Sequence, residues 1–273
     1  MKIALAQINV EFAQFQQNLR KHLAYIQLAV DAGAECVIFP EMALTGYSLQ
    51  DLALTQAIPL DSPKLDPLRR ASEKIDIITS FPELYEHSAY IAASFFSGGE
   101  IRHTHRKVYL PINGMFSDRK DFKPGSRIAS FPLPNGQQAC ILICRDIWHM
   151  DTVLRCKELG ASVIFAPSAV PLRNISGKGP GISAFIERTV QGYAEKNNQF
   201  FVFVNRVGFE EGICFYGGSM AVDPFGKILT KGTYLAENIQ IIELDWRELE
   251  RKNRNLPLSY EQQSFSAWSR EVE

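Results

Sequence analysis

Ala139-Cys140-Ile141-Leu142-Ile143-Cys144-Arg145-Asp146-Ile147-Trp148 joins an apolar run to a charged turn, and a helical pattern over Asp151–Leu159 follows it. A short apolar run bounded by a turn suits a buried strand. Alternation puts Cys140 and its strand neighbours into the sheet faces, while Cys144 falls where the strand ends. Ser162–Phe165 then reads as the next strand, which makes the whole segment a strand–helix–strand crossover.

The same alternation extends toward both ends. Upstream, Ile3–Val10 reads as a strand and Gln16–Ala32 as a helix, with Leu19, Leu23, Ile26 and Val30 at helical spacing and Gly33 closing it. Cys36–Phe39 is a short buried run stopped by Pro40; Leu65–Lys74 reads as a helix and Ile75–Thr79 as a strand. Ser88–Phe96 and Ile101–Thr104 flank Ser97-Gly98-Gly99-Glu100, whose turn chemistry makes a hairpin. Lys107 to Pro134 is rich in Pro, Gly and charge without periodicity, the profile of a functional loop region. Downstream, a loop over Pro167–Gly181 precedes a helix at Ile182–Asn197. Strands follow at Phe200–Val204, Ser219–Val222, Lys227–Thr230 and Ile239–Leu244, with Pro224-Phe225-Gly226 as a turn. The mixture of hairpins and crossovers predicts an α/β fold of two sheets covered by helices rather than one doubly wound sheet. No linker or repeat divides the chain. Residues 1–245 read as one domain, and 246–273 as a helix and arm at a subunit interface.

Composition narrows the function. The 273 residues are 46% apolar and 22% charged, and 29 Lys and Arg nearly cancel 30 Asp and Glu. This is a folded globular chain without the overall field needed to hold nucleic acid or an anionic membrane. No window reaches the ~18 apolar residues of a membrane helix. The opening apolar stretch, broken by Gln7 and Asn9, reads as a strand and not as a signal peptide. Cys36, Cys140, Cys144, Cys156 and Cys214 are scattered with no CxxC pair. That argues against a disulfide framework or a zinc site, places the protein in a reducing cytoplasm, and makes a lone reactive thiol worth seeking.

Three segments deliver a chemically capable residue from a strand end into a loop, where functional groups tend to sit. Glu41, just past Val37-Ile38-Phe39-Pro40, is either a solvated turn residue or a partly desolvated base with a raised pKa. Lys107, in His105-Arg106-Lys107-Val108-Tyr109-Leu110-Pro111, is either part of a basic surface loop or an inward cation for an oxyanion. Cys144 at a strand-to-helix turn has free backbone N–H groups nearby, which favour a thiolate and can bind a developing oxyanion. A buried structural Cys is the alternative at each of the five positions. His103 and His105 alternate on one strand and read as an exposed face rather than a metal site. The charged run Arg247–Arg254 reads as a solvated helix face, and Phe200, Phe201 and Phe203 as core.

Together, Phe39-Pro40-Glu41-Met42-Ala43-Leu44-Thr45-Gly46-Tyr47, the Lys107 segment and Ile143-Cys144-Arg145-Asp146-Ile147-Trp148 resemble the Glu-Lys-Cys triad of the nitrilase (carbon–nitrogen hydrolase) superfamily. Supporting stretches occur in the same order: Gly98-Gly99-Glu100, Phe122-Lys123-Pro124-Gly125, Ala166-Pro167-Ser168-Ala169, and Gly217-Gly218-Ser219 through Asp223-Pro224-Phe225-Gly226. The resemblance implies a four-layer α-β-β-α sandwich, paired into a homodimer or larger assembly, and an amidase more than a nitrilase. It assigns Cys144 as nucleophile, Glu41 as general base and Lys107 as oxyanion stabiliser, with a small amide as substrate and no cofactor or metal. Asp118, in Phe116-Ser117-Asp118, stands where a second Glu is usual.

Within the superfamily the phrases are most similar to the glutaminase domain of glutamine-dependent NAD synthetase. Three positions depart from that branch. Arg145 stands where Glu is usual, Asn113 where Tyr is expected, and Val170 where Ser would precede Pro171. With Trp148 and Ser168 these are the candidate substrate contacts. A cation beside the thiol repels a substrate ammonium, so the expectation is a stand-alone amidase not specific for free glutamine. The alternative is a glutaminase-like subunit feeding ammonia to a synthetase partner, or a binding module without turnover.

Overall fold

A computed structural model describes residues 1–112, 118–173, 175–176 and 179–255. Two six-stranded mixed sheets lie face to face. In spatial order the first runs Asn238–Glu243, Lys2–Gln7, Cys36–Ile38, Asp76–Tyr85, Ser88–Ser97, Glu100–Arg106. The second runs Ile228–Lys231, Met220–Val222, Phe200–Asn205, Val163–Ser168, Gln138–Ile141, Ser130–Pro132. The central strands of each sheet pair in parallel and the outer ones antiparallel, as crossovers and hairpins require.

Alternation along each strand builds the layers. Ile3 and Leu5 face the inter-sheet core with Cys36, Ile38, Phe95, Ile141, Phe165 and Val202. Ala4 and Ala6 face outward, onto a layer that includes Phe15, Leu19, Ile26 and Ala29 of the helix Phe15–Asp31. On the second sheet Cys140, Ile164, Phe201 and Phe203 turn to the opposite outer layer, where Val153 and Cys156 of the helix Met150–Glu158 meet Ile186, Val190 and Ala194 of the helix Gly181–Asn197. Both faces of both sheets are covered, so the strands read as apolar runs. This is the expected α-β-β-α sandwich.

Several elements differ from the sequence reading. The strand expected at Ile75–Thr79 continues to Tyr85. Pro82 is tolerated because its carbonyl accepts from Ile58, so its missing N–H points to that side and not to the partner strand. The two-residue turn after it, Glu86-His87, holds both residues at positive φ (46° and 60°) without the Asn or Gly that signals such turns. A second hairpin, Val207–Glu210 with Ile213–Tyr216, gave no signal in the sequence. His103 and His105 do not form an exposed face: His103 stacks on Phe131 of the other sheet, and His105 is buried against Asp146. The helix Arg247–Asn255 is not wholly solvated either, since Lys252 is buried with its ammonium on the carbonyls of Glu195 and Pro224. Asn113 and the arm beyond residue 255 lie outside the described residues.

Candidate active site

Glu41, Lys107 and Cys144 each follow a strand that ends at the same edge of the sandwich, and the packing of the two sheets brings them together. Glu41 and Lys107 come from the first sheet, Cys144 from the second. Lys107 is buried, 1% exposed, and its Nζ donates to Glu41 Oε1 at 2.7 Å and to Asp118 Oδ2 at 3.1 Å. The Tyr47 hydroxyl donates to the same Asp118 oxygen at 2.7 Å and lies 3.3 Å from Lys107 Nζ. A buried ammonium is tolerated here because two carboxylates and a phenol surround it.

Charge follows from this packing. Burial disfavours the Lys107 cation, but Glu41 and Asp118 outweigh it and hold the ammonium above its ordinary range. Burial raises the Glu41 carboxyl, Lys107 pulls it back down, and the Asp118 charge adds to the rise. Glu41 Oε2 is buried and has no hydrogen-bond partner among the described residues, so one lone-pair set of this carboxylate is unused. Burial and the Glu41 charge push the Cys144 thiol well up, with Lys107 and the backbone of Ala169 acting the other way. The thiol therefore carries its proton at neutral pH, beside a carboxylate able to take it.

Cys144 opens a short 3-10 helix, Cys144–Trp148, with φ +43°, a strained setting for a residue with a side chain. The strand before it ends at Ile141, two residues earlier than expected. Asp146 holds the turn. Its fully buried carboxylate accepts from the Ile143 N–H (3.0 Å) and His105 Nε2 (2.8 Å), and from the N–H groups of Val108 (3.0 Å) and Tyr109 (2.8 Å). One side chain thus ties the Cys144 turn to the loop that carries Lys107. The sequence signal was an acid at the third position of a helix start.

Tyr47 depends on another unforeseen group. Glu210, in the second hairpin, accepts from the N–H groups of Tyr47 (2.7 Å) and Ser48 (2.6 Å) and pairs with Arg206 at 2.8 Å. Gly46, at φ +84°, makes room: a Cβ there would lie 2.6 Å from Glu210 Oε2.

A cavity of about 210 Å³ opens at Cys144, walled by Tyr47, Lys107, Arg145, Trp148, Val170 and Arg173 among others. Arg145, Trp148 and Val170 thus stand at the cavity. Ser168 does not: it is fully buried, its hydroxyl donates to the Ala166 carbonyl, and its own carbonyl receives the Glu41 N–H. Asn205 fixes the Val170 segment by accepting the Val170 N–H at 2.8 Å. Among the described residues no cluster of His, Cys, Asp and Glu suited to a metal ion occurs, and no helix is long and apolar enough to cross a membrane.

Residues 2–253 match the carbon-nitrogen hydrolase family. The glutamine-dependent NAD(+) synthetase of Thermotoga maritima is 30% identical over 253 residues, covering 91% of this chain and 42% of that protein. An (R)-stereoselective amidase of a Pseudomonas species is 32% identical over 285 residues, covering 100% of this chain and 98% of the amidase. The glutamine-dependent NAD+ synthetase of Acinetobacter baumannii superposes with a TM-score of 0.81 at 24% identity, over 91% of this chain and 46% of the other. The chain spans less than half the length of these synthetases and the full length of the amidase.

Proposed function

The chain belongs to the carbon–nitrogen hydrolase family, and from that premise we propose that it hydrolyses the C–N bond of a small amide to an acid and ammonia. One observation carries the reading: the Lys107 ammonium is locked between Glu41 and Asp118, leaving Glu41 Oε2 without a partner beside a thiol that opens onto a cavity.

The Cys144 sulfur attacks the amide carbonyl carbon while Glu41 takes the thiol proton. Lys107 and the Arg145 N–H, which has no preceding turn of helix to bond, offset the negative charge on the carbonyl oxygen. The C–N bond breaks as Glu41 passes its proton to nitrogen, ammonia leaves, and a thioester remains. Glu41 then takes a proton from water, the oxygen attacks the thioester carbon, and the C–S bond breaks with the proton returned to sulfur. Asp118 and Tyr47 hold Lys107 in place throughout.

Ammonia release from a panel of amides, N-carbamoyl amines and nitriles tests this, with Cys144→Ala beside the wild type. Turnover of one class that vanishes in the variant is expected. Turnover unchanged in Cys144→Ala would refute the assignment.

The likeness to synthetases of which this chain spans less than half supports a second reading, a glutaminase-like subunit that supplies ammonia to a synthetase partner. It predicts glutamine as the preferred amide, with turnover that rises when the partner is added.

A further inference from the structure

What the substrate carries besides its amide is written in the charges of the cavity. Arg145 and Arg173 both line it, and among the described residues that line it there is no Asp or Glu. The Arg145 guanidinium lies over the Trp148 ring, 4.6 Å from its centroid, and Trp148 leans on Phe185 with ring centroids 5.0 Å apart. Stacking fixes the plane of a guanidinium while leaving its N–H edge available to a bidentate acceptor. No carboxylate among the described residues lies within ion-pair distance of Arg145. The Lys107 ammonium, by contrast, is already paired to Glu41 and Asp118. Among the described residues, the Arg145 guanidinium therefore offers a positive charge to a ligand one residue from the nucleophile. The remaining wall is apolar, with Pro111, Val170 and Ile182. The cavity holds about 210 Å³, the space of about seven waters. That space suits a short amide.

We propose, building on the amide-hydrolase reading, that the substrate is a short amide ending in a carboxylate, with no ammonium beside that carboxylate. Arg145 takes the carboxylate on its N–H edge, and the apolar wall takes the methylenes between. The amide carbonyl then reaches Cys144. A substrate ammonium would meet the Arg145 guanidinium, with no acid among the described lining residues to pair it. Free glutamine, which carries both charges, is a poorer fit than its deaminated counterpart.

Three probes that differ by one group each test this: glutaramate, pentanamide (a methyl in place of the carboxylate) and glutamine (an α-ammonium added). The kcat/KM for glutaramate is expected to exceed each of the others by about tenfold or more, the size of one charge-assisted contact. Arg145→Gln is expected to narrow the glutaramate-to-pentanamide ratio severalfold, chiefly through KM. A ratio taken within one preparation does not depend on how much of it is folded. Pentanamide turned over as well as glutaramate would overturn the proposal and leave the hydrolase standing. If no amide releases ammonia, the hydrolase reading falls and binding decides the proposal. Glutaramate should then shield the Cys144 peptide from iodoacetamide, read by mass, at lower concentration than pentanamide. Equal or weaker shielding would overturn it.

Discussion

Lys107 keeps two carboxylates close together in a buried site, and removing its charge exposes their repulsion. Lys107→Met is expected to lower kcat/KM by about 10²-fold or more, as loss of an oxyanion contact does. It should also move the acid limb of the pH profile upward, because Lys107 is the group that holds the Glu41 pKa down. In the proposed mechanism Glu41 must be ionised to accept the thiol proton. Its carboxyl is raised by burial, so kcat/KM should fall on the acid side through a pKa above the ordinary 4.5. An acid limb at or below 4.5 would contradict the assignment of Glu41. Asp146→Asn turns a group that only accepts into one that also donates, facing three backbone N–H groups and His105. It is expected to lower Tm and, because it frees the Cys144 turn from the Lys107 loop, to lower kcat about tenfold or more. Tm and kcat measured together check both. The candidates Glu41, Lys107 and Cys144 were legible because each stands within three residues of a strand end, Glu41 and Cys144 after apolar runs and Lys107 after the polar strand Glu100–Arg106. Tyr47 was not, and Asp146 only through its short-range contact to Ile143, because their other partners are far away in the chain and no spacing encodes those contacts.

The segment that presents Tyr47 owes its shape to the hairpin Val207–Glu210 with Ile213–Tyr216. Arg206 and Glu210 are both buried, and the Arg206 guanidinium also packs 4.2 Å from the Phe215 ring centroid and donates to the Val10 carbonyl. Arg206→Met leaves Glu210 buried with two backbone N–H donors but no cation, a change that typically costs about 3–5 kcal/mol. Chemical denaturation of this variant should show such a loss. Glu210→Gln leaves the buried Arg206 cation without its acid, so it should cost stability to a similar degree, and it should also raise KM or lower kcat through Tyr47. The hairpin was invisible in the sequence because Glu211-Gly212 is a weak turn signal and Phe209, at 76% exposed, breaks the expected pattern of burial. Gln7, a polar residue inside the first strand, has a similar explanation. Its amide donates to the carbonyls of Thr233 and Ala236 and accepts from the Ser219 N–H, so it joins the first strand to segments some two hundred residues later.

Across the whole molecule, four layers bury histidines that must remain neutral. His22 lies between the Asn18 carbonyl and the Thr79 hydroxyl, stacked on Phe39, and burial lowers its pKa to about 4. His103, between the sheets against Phe131, is likewise lowered to about 4. The unfolded chain binds these protons near pH 6.5 and the folded one does not. Stability is therefore full above about pH 6.5 and falls as pH drops toward 4. Tm measured across that window should decline, and His22→Gln should flatten the slope whatever its Tm at neutral pH. A Tm independent of pH between 6.5 and 4 would contradict this account.

Residue order alone carried the layered α/β architecture, because alternation within strands and the 3.6-residue period within helices are local rules that burial enforces on any such chain. It also carried the three candidate residues, each placed just past the end of a strand. Tertiary packing alone decided that Asp118 and Tyr47 share the Lys107 ammonium, that His103 and His105 turn inward, that Ser168 is kept from the cavity, and that Arg145 rests on Trp148 at its wall. Those contacts are made between sheets, hairpins and loops that meet only when the sandwich closes, and a one-dimensional pattern holds no record of which side chains face each other across it.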